Sequence, residues 1–313
     1  MDHNLPFDPT YGYDKAHLLS VGVPSEPDDF CAFWQTTYAE TRDVPLHLTA
    51  TPLPGLTDDY RLYQVYYDSW GGMRIGGWLM EPAKGEIRGG AVVGHGYGGR
   101  DAPEANPPFF HRVVIYPCAP GFNLSAREDL PSTSQAHVIY GIASRDTYIL
   151  RHATAALWSA ASVLLACYPK VKGNIVYSGG SFGGGLGALA LPWDQRFVKA
   201  HLGVPTFGHH PIRLQCRCQG SGEAVRSYYH DHPDVVKVLA YYDAATAAAH
   251  IPIPVLVSPA LFDPAVPPPG QFAVANAIPK HELFILTAGH FEYAGQEQEN
   301  QDLRIALEHW FAF

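Results

Sequence analysis

Ser181 stands in Gly179-Gly180-Ser181-Phe182-Gly183, with glycine two places before and two places after it. A serine hydroxyl is a weak nucleophile at neutral pH. It needs a histidine to take its proton and a carboxylate to hold that histidine in the right tautomer. On a strand–turn–helix elbow the partners follow in the order acid, then histidine. Asp263 and His290 supply that order. Asp263 follows the apolar run 254–262, and His290 follows the run 282–287 across Ala288-Gly289. Residues just past the C-terminal ends of parallel strands lie on the ligand-binding edge of a sheet. Asp263 is too far upstream to cap a helix starting near Gln271. Asp194, Asp231, Asp234 and Asp243 are weaker acids, and Asp243 reads as a residue that holds its own segment in place. A developing oxyanion needs two backbone N–H donors. The residue after the serine, Phe182, offers one. The loop His95-Gly96-Tyr97-Gly98-Gly99 offers the other through the Tyr97 amide. His95, Gly96, Phe122 and Phe291 are expected to line the substrate pocket.

These residues need elements to position them. Ile175-Val176-Tyr177 reads as a short buried strand before the elbow, and residues 184–191 as a small-residue helix after it. Side chains at 179 and 183 would collide across such a turn, which explains the glycines. Upstream, residues 46–51, 60–69 and 74–80 alternate with period two and predict an antiparallel start to a sheet, with Gly71-Gly72 as a hairpin turn. Residues 90–94 and 112–116 are continuous apolar runs, as expected for strands covered on both faces. Helix 147–168, strands 174–178, 201–204, 254–259 and 283–287, and helices 271–277 and 297–312 complete a β/α series. The series implies a mostly parallel central sheet with helices on both faces.

A helix with an aromatic stripe (Phe30, Phe33, Trp34, Tyr38) is expected before the sheet, capped by Ser25 or Asp28. The division predicted is one domain over 1–313, with an N-terminal helical extension over about 1–44 and a mostly helical insertion over about 206–250. The 117–146 connection and that insertion are long enough to act as lids or substrate walls.

The net charge is −9, and no basic stripe interleaves with aromatics, which argues against nucleic acid or an anionic membrane as partner. Met1-Asp2-His3-Asn4 lacks the basic and apolar regions of a signal peptide. The apolar stretch 153–167 is too short to span a membrane and reads as a buried helix. Five cysteines suggest no disulfide framework. The expectation is a reduced, cytoplasmic protein with a small-molecule substrate and no cofactor. Cys216-Arg217-Cys218 has no second pair at metal-site spacing, so no metal is expected. His209-His210, His230 and His232 read as solvated or capping residues, and most other histidines as surface or helix residues.

From about Asp28 onward the chain resembles the acetyl xylan esterase and cephalosporin C deacetylase family of serine carbohydrate esterases, which have the α/β-hydrolase fold. The resemblance rests on Phe33-Trp34, the hairpin 69–75, Gly94-His95-Gly96-Tyr97-Gly98-Gly99, Gly179-Gly180-Ser181, Tyr242-Asp243-Ala244, and the stretch from Pro254 through Asp263 to Pro268. It implies Ser181 as nucleophile, Asp263 as acid, His290 as base, Tyr97 and Phe182 as oxyanion donors, and a ring-like homo-oligomer. Three positions depart from the family pattern. Phe182 replaces a glutamine, Cys118-Ala119-Pro120-Gly121-Phe122 replaces an Arg-Gly-Gln signature, and His290-Phe291-Glu292 replaces a His-Glu pair. These changes fall on groups that line or brace the acyl pocket. The expected activity is hydrolysis of small acyl esters, chiefly acetyl, of sugars or related alcohols through an acyl-enzyme. The alternatives are a general carboxylesterase, a small amide or peptide hydrolase, or a ligand-binding protein of this fold without turnover.

Overall fold

Alternating side chains in Tyr60–Ser69 shape β2, which pairs antiparallel with β1 (Thr49–Leu53) and β3 (Met73–Pro82) in the computed structural model, which describes residues 1–313. Gly71 and Gly72 turn the β2–β3 hairpin at φ 66° and 73°, values that residues with a Cβ adopt at a cost. Strands β4 (Gly89–Gly94), β5 (Arg112–Pro117), β6 (Ile175–Gly180), β7 (Phe197–Gly203), β8 (Val255–Ser258) and β9 (His281–Leu283) are parallel to one another. The strand order is β1-β2-β3-β5-β4-β6-β7-β8-β9, with β3 antiparallel to β5. Every residue of β4, β5 and β8 is buried, as strands covered on both faces require.

The helices are α1 (Lys15–Leu18), α2 (Phe30–Asp43), α3 (Ser134–His137), α4 (Ile149–Cys167), α5 (Phe182–Ala190), α6 (His210–Arg213), α7 (Ser221–Asp231), α8 (Val236–Leu239), α9 (Ala244–Ala248), α10 (Pro268–Ala277) and α11 (Gln296–Trp310). Both faces of the sheet are covered, but unequally. Val92, Ile175 and Tyr177 point into the larger core with α2, α4, α5, α9 and α10, while their neighbours Ala91, Val93 and Val176 point to a smaller core beside α11. The apolar stretch within α4 is mostly buried in that larger core. Residues 206–250 are largely helical, as the sequence predicts.

Several boundaries differ from expectation. β1 starts at Thr49 rather than Leu46 because His47 takes a left-handed backbone (φ 39°) and breaks the extended run. The last strand, expected over 283–287, is His281–Leu283 with one further bridge, Ala260 to Leu286. Pro259 has no N–H to donate, so the ladder cannot continue evenly past β8. α2 begins at Phe30 behind Asp29, and neither Ser25 nor Asp28 caps it. The Asp29 carboxylate instead pairs with Arg145 at 2.7 Å and accepts from the Tyr241 hydroxyl. α10 starts three residues before Gln271, because Pro268 and Pro269 fit a first turn whose N–H groups have no helical partner.

Candidate active site

The parallel register brings Gly94 opposite Gly179 and Gly180 opposite Gly203, so the loop after β4 and the elbow after β6 emerge side by side. Ser181 joins β6 to α5 at φ 53°, ψ −112°. A Cβ on Gly179 would lie 2.7 Å from the Gly183 carbonyl carbon, and one on Gly183 would lie 2.9 Å from that of Gly94. Contacts that short are sterically forbidden, so only glycine admits this tight crossing.

The structure brings Ser181, Asp263 and His290 together from positions 109 and 27 residues apart. His290 Nε2 is 3.0 Å from Ser181 Oγ, and His290 Nδ1 is 2.8 Å from Asp263 Oδ2. Asp263 is wholly buried. Its Oδ1 accepts from the Ala265 and Val266 amides, both at 2.9 Å. Its Oδ2 also accepts from Gln271 Nε2 at 2.9 Å, and Gln271 Oε1 accepts from the Ala260 amide at 2.7 Å. Gln271 therefore fixes the carboxylate from behind. The sequence offered no signal for it beyond its place near a helix start. Burial lowers the proton affinity of His290, but the hydrogen bond to Asp263 and the Asp263 charge outweigh it, so its pKa is raised. Asp243, the alternative acid, is buried elsewhere. It accepts from the amides of His209, His210, Ala245 and Thr246, which caps α9 and ties it to α6.

The loop 95–99, expected to supply an oxyanion donor, is held from below. His95 Nδ1–H donates to Gly96 O at 2.6 Å, and the Gly99 amide donates to the same oxygen at 3.0 Å. In a trans peptide the following N–H points the opposite way. The Tyr97 amide is thus turned away from the core, and it makes no hydrogen bond within the chain. Phe182, the first residue of α5, has an amide without an intrahelical acceptor. His95 Nε2 accepts from the Ala119 amide at 2.9 Å, so its tautomer is set by both neighbours. The Tyr97 hydroxyl donates to His137 Nδ1 at 3.1 Å, and His137 Nε2–H donates to Pro120 O at 2.9 Å.

The pocket residues distribute differently from expectation. The cavity at Ser181, about 400 Å³, is lined by Gly96 but not by His95, Phe122 or Phe291. Phe182 is fully buried, its ring stacked on Tyr97 with centroids 4.0 Å apart, and Phe122 and Phe207 pack around them. Phe291 packs on Phe262 at 4.9 Å. Aromatic rings therefore fill the space behind the oxyanion loop instead of walling an open pocket. His95, His137, His201 and His210 are all buried, so His210 is not the solvated residue expected. Burial pulls the first three down to about 4 and His210 to about 3. His209 caps α6, as expected, through its Nδ1. All five cysteines are free thiols, with Cys216 and Cys218 buried.

The fold is shared with known proteins. An acetyl xylan esterase from Thermoanaerobacterium sp. JW/SL YS485 superposes with a TM-score of 0.82 at 20% identity, covering 96% of this chain and 99% of that one. The acetyl xylan esterase from Paenibacillus sp. R4 gives 0.83 at 20% identity, covering 95% and 100%. Both similarities show an α/β-hydrolase fold. In sequence, the chain is 24% identical over 305 residues to acetyl esterase Axe7A of Xylanibacter ruminicola, covering 90% of this chain and 69% of that protein. Residues 20–309 match the family described as Acetyl xylan esterase (AXE1), nearly the whole length, so the chain belongs to that family of carboxylic ester hydrolases.

Proposed function

We propose that this protein is a serine esterase that removes acetyl groups from sugar hydroxyls through an acyl-enzyme. The observation that carries the reading is the unbroken relay Ser181–His290–Asp263 on a strained elbow, with contacts of 3.0 and 2.8 Å. Ser181 attacks the ester carbonyl as His290 Nε2 takes its proton. The oxyanion forms against the Tyr97 and Phe182 amides. His290 returns the proton to the leaving alcohol, then activates a water that hydrolyses the acetyl-serine. Asp263 accepts from His290 Nδ1–H and holds that tautomer. The acetyl and sugar preference is supported by family membership and by the named relatives. A fluorophosphonate probe tests the nucleophile, and acetate release from acetylated xylo-oligosaccharides tests the substrate. Labelling at Ser181 together with acetate release is expected. A protein that labels but releases acetate only from simple aryl esters would remove the sugar from the reading.

A further inference from the structure

The backbone of the catalytic acid is held by a segment far from it in the chain. Asp263 is wholly buried, and its own amide donates to one acceptor, Pro9 O, at 3.2 Å. A buried N–H needs a partner, so the loop that carries the acid depends on the segment before α1. Pro9 is itself buried. It lies outside the stretch 20–309 that matches the family.

A tight turn aims the Pro9 carbonyl. The Tyr11 amide donates to Asp8 O at 3.0 Å, the Thr10 amide to Asp8 Oδ1 at 2.9 Å, and the Thr10 hydroxyl to Asp8 Oδ2 at 2.7 Å. Tyr11 then takes a left-handed backbone at φ 54°. Its hydroxyl donates to Arg217 O at 3.0 Å, and the nearby Gln219 amide donates to Pro264 O at 2.8 Å. Pro264 follows Asp263, so these bonds close a circuit from the acid through Pro9, Tyr11 and 217–219 back to the acid's loop. A second contact runs through rings. His3 lies 5.4 Å from Phe262, and Phe262 lies 4.9 Å from Phe291. Phe262 precedes Asp263 and Phe291 follows His290, so this stack reaches the neighbours of both. The segment is anchored separately beyond the turn. Leu18 is buried, and Asn276 Nδ2 in α10 donates to Leu18 O and Val21 O, both at 2.9 Å.

We infer that residues 3–11 form a strap that positions the triad, with Pro9 O setting the Asp263 backbone and Tyr11 locking Pro9 in place. The inference rests on the esterase reading above. Pro9 and Tyr11 bond to the acid's loop and its neighbour, and to neither Ser181 nor His290. They act through Asp263, so their loss should lower turnover and spare substrate affinity.

The test deletes residues 2–12, which leaves α1 and its anchor to α10. It measures p-nitrophenyl acetate hydrolysis and the rate of fluorophosphonate labelling at Ser181. kcat is expected to fall about 10- to 100-fold and labelling to slow by a similar factor, since misplacing a catalytic group by about 1 Å can cost about 10²-fold. KM should stay within about twofold of wild type, as for an interaction made only in the transition state. Tyr11→Ala, which serves should the deletion fold poorly, is expected to lower kcat about fivefold with the same split. A folded deletion variant, or failing that a folded Tyr11→Ala, whose kcat and labelling rate are within about twofold of wild type overturns the inference, even if its melting temperature is lower. A raised KM at unchanged kcat overturns it too, and would make the strap a wall of the substrate site. If the wild type shows no Ser181-dependent hydrolysis of p-nitrophenyl acetate, the esterase reading fails and the positioning role with it. Normal hydrolysis by both wild type and deletion variant overturns the positioning role alone.

Discussion

Holding Ser181 at φ 53° costs roughly 1–3 kcal/mol, which the surrounding glycine crossing sustains. The hydroxyl is thereby presented to His290. Ser181→Ala removes only that oxygen, so the protein should fold normally while turnover of p-nitrophenyl acetate drops by about 10⁴-fold or more. Asp263→Asn should leave substrate binding nearly unchanged but lower kcat by roughly 10⁴, since the amide favours the wrong imidazole tautomer. Retention of more than a few per cent of activity in either variant would remove that residue from the mechanism. The pH profile follows from His290. Only its neutral form accepts the serine proton, and its pKa is raised because the Asp263 hydrogen bond and charge overcome burial. Log kcat/KM should therefore climb with pH through a single ionisation above the ordinary histidine value of about 6.5. A midpoint below that value would contradict the Asp263–His290 coupling.

Two contacts between elements decide whether the site is assembled. Phe182 stacks on Tyr97, so one aromatic cluster carries both amides proposed as oxyanion donors. Phe182→Gln exchanges that ring for a smaller amide with no partner in view. It should destabilise the protein by about 2–4 kcal/mol and slow all acyl chain lengths together. A variant of normal melting temperature with a changed preference between two-carbon and eight-carbon esters would show instead that Phe182 borders an open acyl pocket. The second contact is Asp243, which ties α6 to α9 through four backbone amides. Asp243→Ala strands those donors in a buried setting and should cost about 2–4 kcal/mol. The folded fraction should keep its kcat, measurable by active-site titration at low temperature. A folded protein that has lost turnover like Asp263→Asn would move the acid to Asp243.

Across the whole molecule, four buried histidines set the response to acid. His95, His137 and His201 are depressed by burial to about 4, and His210 to about 3. The unfolded chain protonates each near pH 6.5. Between the two values the unfolded state binds protons that the folded state refuses, so their stabilising effect is complete above about pH 6.5 and fades as pH falls toward 4. His290 has the opposite sign. Its raised pKa contributes below its unfolded value and is lost as pH rises through its folded one. These four, with His152, which burial also lowers, outweigh one, so urea unfolding should show stability falling from pH 7 to pH 5, with a net uptake of about four protons on unfolding near pH 5. A flat profile over that window would mean that these imidazoles reach solvent.

Features written in neighbouring residues or in chain order are legible before the chain folds. The elbow at 179–183 is local, because its glycines are required by atoms within a few residues. Period-two alternation set the antiparallel start, and continuous apolar runs set the buried strands, apart from ends shifted by His47 and Pro259. Chain order and strand ends were enough to bring Asp263 and His290 to Ser181. What faces each side chain across the core was decided only by tertiary structure. Gln271 behind Asp263, His95 under the Gly96 carbonyl and the stacking of Phe182 on Tyr97 depend on which segments the sheet register brings together. His201 lies buried between Ser178 and Ser258, residues from two other strands. The cavity at Ser181 is likewise the space left between β4, β6 and α11. A pattern along one segment tells which face is inward. What packs against that face is set by the other segments, so a residue's burial and partners emerge only when the chain closes on itself.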